Sequence, residues 1–99
     1  MFFNWFDAKK AEESGQSLAL FFAERVSVEA GKSGKKSLPK KQMEAVGKMF
    51  AQAERFSREH KLNIYKKAKL GNAFKWKLKE LGYAGGLVDE LTKELLLHL

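Results

Sequence analysis

Apolar residues recur along most of this chain every three to four positions, and four separate runs of that helical period can be marked off. The first starts at Asn4 or Asp7, either of which has a side-chain oxygen to cap free amides, and ends near Arg25. Turned by about 100° per residue, Ala8, Ala11, Gly15, Leu18, Ala19, Phe22 and Val26 fall on one side. Glu12, Glu13, Gln16, Ser17 and Glu24 fall on the other. Gly15 costs about 1 kcal/mol relative to alanine inside a helix, so a second helix is expected to cross closely there.

The stretch 30–37, Ala-Gly-Lys-Ser-Gly-Lys-Lys-Ser, reads as a solvated linker. Ser37 is expected to cap the second helix, with Pro39 in its first turn, where a missing amide proton is harmless. That helix runs to about His60, with Leu38, Met43, Val46, Met49, Phe50, Ala53 and Phe56 inward. Its outer side carries Lys40–Glu44–Lys48, Glu54–Arg58 and Arg55–Glu59 at i,i+4 spacing.

Asn63 can cap a third helix from Ile64 to about Leu81, stopped by Gly82, with a core stripe of Ile64, Leu70, Gly71, Phe74, Leu78 and Leu81. A fourth begins near Gly86 and turns Leu87, Val88, Leu91, Leu95 and Leu99 inward, leaving Leu96 and Leu97 off the stripe. The only alternating stretch is Val26-Ser27-Val28. The pattern therefore predicts an all-α fold, a compact single-domain bundle of about four helices over 1–99. Phe22, Phe50, Phe74 and Leu91, one from each helix, are expected to share one core.

Ninety-nine residues suit one domain. With no cysteine, disulfides, thiolate metal sites and cysteine nucleophiles are excluded. No apolar run approaches the ~20 residues that span a bilayer, and the first residues lack a secretory pattern, so a cytoplasmic location is expected.

Charge changes the picture more. Residues 1–31 hold three basic and five acidic side chains, 32–79 fifteen and three, and 80–99 one and four. A basic block between two mildly acidic ends points to an anionic partner, or else to a lysine-rich solvating surface.

Catalytic chemistry finds little footing. Ala30-Gly31-Lys32-Ser33 matches the end of a phosphate-binding loop, but Val26 stands where its first glycine belongs and no strand precedes it. His60 and His98 lack metal-ligand spacing, and no serine is expected to have a histidine beside it as a base. The expectation is no enzyme, no cofactor and no metal.

The third helix says more. Between Lys61 and Lys79 lie seven lysines and no acid. Tyr65, Lys69, Asn72, Trp76 and Lys79 follow i, i+4, i+7, i+11, i+14, a second face that is aromatic, amide and cationic, flanked by Lys66 and Lys77. Ammonium groups can meet phosphates, an amide can address a base edge, and rings can stack on unpaired bases. The competing expectation is that Tyr65 and Trp76 are half-buried under another helix, with lysine stems lying over them.

The leading expectation is a small basic binding protein that contacts RNA or DNA through Lys32, Lys35 and Lys36 of the linker and Tyr65, Lys66, Lys69, Asn72, Trp76, Lys77 and Lys79. The alternative is a helical interaction module that forms a homodimer or docks an acidic protein through its apolar ends, Phe2, Phe3, Trp5, Leu96 and Leu97. The N-terminal aromatics otherwise fold back over the core or meet a membrane surface.

Overall fold

In the computed structural model, the small and apolar positions of the first run form one buried line on α1 (Phe2–Arg25), and α3 (Ile64–Glu80) lies along it. The backbone is described from Phe2 onward and side chains from Ala8 onward, so the docking role expected of Phe2, Phe3 and Trp5 lies outside the described side chains. Among the described residues α2 (Lys40–His60) and α4 (Gly85–His98) complete a four-helix, all-α arrangement with no strand.

The closest pairing is α1 with α3. A Cβ added at Gly15 would stand 2.3 Å from the Leu70 carbonyl oxygen and 3.0 Å from the Phe74 amide nitrogen. The missing side chain is what lets the two backbones approach, as the position of Gly15 predicts. The two helices run parallel: Glu12, midway along α1, lies beside Lys69 in the first half of α3, and Val26 lies beside Tyr83 beyond their ends. α2 runs the opposite way along α1, since Lys10 and His60 line one crevice between them and Arg25 and Lys41 line another at the far end. α4 packs on α3 and α2, with His98 stacked on Phe50 at 4.7 Å.

Phe22, Phe50, Phe74 and Leu91 do share one core, with Leu18, Val46, Met49, Leu70, Leu78, Leu87 and Leu95 around them. The Cα radius of gyration is 13.1 Å, the size of a tightly packed chain of this length.

Helix ends follow local chemistry. Asn63 Oδ1 accepts the Lys66 amide at 2.9 Å, the predicted cap of α3. Gly82, at φ 96°, ends that helix in the left-handed region, where the Tyr83 amide returns to Leu78 O at 3.2 Å.

Several expectations are corrected. α1 already runs through Asn4 and Asp7, so neither marks its start. Ser37 does not cap α2: it closes a short 3-10 turn, Lys35–Ser37, and its hydroxyl donates to Ser33 O at 3.3 Å. Pro39 precedes α2, its carbonyl accepting the Gln42 and Met43 amides at 2.9 Å each.

Residues 30–37 connect α1 to α2 but are not a loose tether. Gly31 is buried against Leu87, the Lys35 amide donates to Glu90 at 3.1 Å, and the Lys35 ammonium pairs with Glu94.

Met43, Leu81 and Ile64 are exposed, Ile64 at 86%. Ile64 opens its helix and Leu81 leaves it, so neither reaches the neighbouring helix although each falls on the apolar side. Glu54 turns to His98 rather than Arg58, tying α2 to α4.

Candidate nucleic-acid interface

The parallel pairing that buries Leu70, Phe74 and Leu78 of α3 turns the second face of that helix outward. Trp76 is 60% exposed and Tyr65 56%, more open than the competing expectation of half-buried rings has them, while lysine side chains do lie against both as it anticipates. Asn72 and Lys79 are exposed between and beyond them, and Lys69 is half-buried. Lys79 Nζ stands 5.2 Å from the Trp76 ring centre and Lys75 Nζ 6.0 Å, while Lys69 Nζ stands 5.7 Å from the Tyr65 ring. These are cation–π separations, and they leave much of each ring open to a further partner.

Beside Trp76, α1 and α3 enclose an open groove of about 410 Å³, lined by Glu12, Gln16, Lys69, Asn72, Ala73, Trp76, Lys77 and Glu80. Two lysines in it already have acids: Lys77 Nζ lies 2.9 Å from Glu80 and Lys69 Nζ 3.8 Å from Glu12. Lys75 and Lys79 have no carboxylate partner among the described residues. Lys75, Glu12, Gln16 and Glu80 are absent from the sequence reading of the site. Lys75 was legible as the neighbour of Trp76, whereas Glu12 and Gln16 arrive only through the packing of α1 on α3.

The remaining named lysines lie elsewhere. Lys32 and Lys36 are exposed and Lys35 half-buried, around a separate hollow of about 360 Å³ at the start of α4 that shares no lining residue with the first. Lys32 pairs with Glu29 at 2.7 Å. Lys66 lines a narrow crevice with Lys10, Phe56 and His60. The structure therefore divides the linker lysines from the face of α3.

Leu96 rests on α3 where Gly71 leaves room, and Leu97 is 81% exposed. Among the described residues no three metal-ligating side chains gather, and no helix is long and apolar enough to cross a membrane. Comparison with protein-family models, curated proteins and solved structures finds no match.

Proposed function

We propose that this chain is a binding protein, not an enzyme, that works in the cytoplasm and holds nucleic acid on the outer face of α3. The observation that supports this reading is the pair of open rings on one helical face, with lysine ammonium groups beside them. The rings sit eleven residues apart, about 16 Å along the axis, so each can serve a different base. Stacking is tolerant of sequence and the lysines meet backbone phosphates, which together favour an unpaired strand.

The alternative, self-association or docking of an acidic protein through apolar ends, keeps Leu96 and Leu97, 43% and 81% exposed, as its support. Leucines exposed in this way are ordinary on a folded surface, whereas an exposed tryptophan between two lysines without acid partners is not.

Binding to short single-stranded RNA across a salt series tests the proposal. With some four to six phosphate contacts on a single strand, log affinity should fall against log salt with a slope of about −3 to −4. Replacing Lys75 and Lys79 by alanine should flatten the slope by about one or two units. Trp76→Ala should weaken binding by about 1–3 kcal/mol at unchanged slope. No binding at low salt removes the proposal, and binding indifferent to Trp76 reduces the surface to a general basic one.

A further inference from the structure

Trp76 divides two different surfaces. At about 100° per residue, Lys75 and Lys79 fall to one side of its position on α3. Ala73, Lys77 and Glu80 fall to the other, against α1. On the lysine side the ammonium groups have no carboxylate partners among the described residues. On the groove side the cations Lys69 and Lys77 are held by Glu12 and Glu80. The groove's two lysines are thus already engaged by its two carboxylates, whereas the outer lysines have no acid beside them among the described residues, so the outer side is the better place for the anionic part of a strand.

A ligand that fits both sides is anionic at one edge, flat enough to stack on the indole, and rich in N–H donors at the other edge. A nucleotide of an unpaired strand has that form, because its base edge is not already committed to a complementary base. Carboxylate oxygens only accept hydrogen bonds. They match the exocyclic amino groups of cytosine, adenine and guanine, and oppose the carbonyl that uracil or thymine presents at the equivalent position. Glu80 is four residues from Trp76, one turn along the same face; its Oε1 accepts the Lys77 ammonium, and with the side chain 68% exposed its second oxygen is open next to a base stacked on the indole. Resting on the nucleic-acid reading above, we infer that the α1–α3 groove takes the base edge of single-stranded nucleic acid and selects bases that carry an amino group.

Cytosine against uracil is the clean comparison, since the rings are equal in size and differ at the amino or carbonyl group. The full chain is titrated with oligo(C) and oligo(U) RNAs of equal length at one salt concentration. Oligo(C) is expected to bind about tenfold more tightly, the worth of one hydrogen bond to a charged acceptor. Glu80→Ala should weaken oligo(C) and leave oligo(U) unchanged or tighter, collapsing the preference. Glu12→Ala, on the opposite wall, should reduce it in the same direction, with circular dichroism confirming that both variants keep their helix. If both oligomers bind the wild-type chain equally, the base-edge assignment is overturned while the nucleic-acid reading stands. A cytosine preference that survives in both variants overturns the assignment to the groove. If neither oligomer binds, the nucleic-acid reading falls and takes this inference with it.

Discussion

Tyr83 fastens the turn between α3 and α4 to the end of α1. Its ring meets Phe22 edge-on at 5.2 Å, and its hydroxyl donates to the Val26 carbonyl in the interior. Burial raises the phenol above its ordinary pKa of 10.0, because the anion would lose water without gaining a donor. The folded chain therefore holds this proton more firmly than the unfolded chain. The stability it contributes is fully present below pH 10.0 and is lost as pH rises through the raised folded value. Tyr83→Phe keeps the ring but leaves Val26 O buried without its donor, which should cost about 1–2 kcal/mol at neutral pH. Urea melts of both proteins at pH 8 and pH 11 check this, since the gap between them should narrow at the higher pH. A constant gap would mean that the phenol does not titrate with folding. Neither Val26 nor Tyr83 marks this contact in the sequence, because 57 residues separate the partners.

At the scale of helices, Gly15 and Gly47 make a controlled pair. Both lie inside helices, yet a Cβ at Gly15 meets backbone of α3 at 2.3 Å while a Cβ at Gly47 meets nothing within 4 Å. Alanine gains about 1 kcal/mol in helix propensity at either position. At Gly15 that gain is outweighed, because the obstacle is a carbonyl on a packed helix and overpacking costs about 1–3 kcal/mol or more. Gly47→Ala should therefore stabilise by about 0.5–1 kcal/mol and Gly15→Ala should destabilise, both read from denaturant midpoints. A stabilised Gly15→Ala would mean that α1 and α3 can part cheaply. The crossing at Gly15 was legible because a glycine amid a helical period asks for a reason, and the Asn63 and Gly82 ends were legible from their own chemistry. The anchoring of 30–37 was not, because Glu90 and Glu94 reach Lys35 from more than fifty residues away while the local composition reads as linker. Periodicity likewise places Met43, Ile64 and Leu81 on the correct side without showing whether a neighbour reaches them.

Over the whole molecule, the face of α3 was readable from the sequence because one helix supplies all of it. Its groove of paired acids and lysines was not, because Glu12 comes from α1 and only the parallel pairing of two helices brings it there. The chain carries a net charge of +7, weighted toward residues 32–79. Repulsion among these lysines opposes the compact state, and added salt shortens its reach to about 8 Å at 0.15 M. Salt also weakens the ion pairs, but most are exposed, and such pairs contribute about 0–1 kcal/mol each. Relief of repulsion should prevail, so Tm is expected to rise between low and physiological salt. Each kcal/mol of repulsion removed corresponds to roughly 4–8 °C for a domain of this size. Affinity for a nucleic acid should fall over that same range. The opposite signs matter, because loss of binding then cannot be loss of fold. A thermal melt series checks the first half. If Tm falls as salt is added, the ion pairs outweigh the repulsion, with Lys35–Glu94 foremost as the pair whose lysine is least exposed, and the salt dependence of binding would have to be corrected for unfolding.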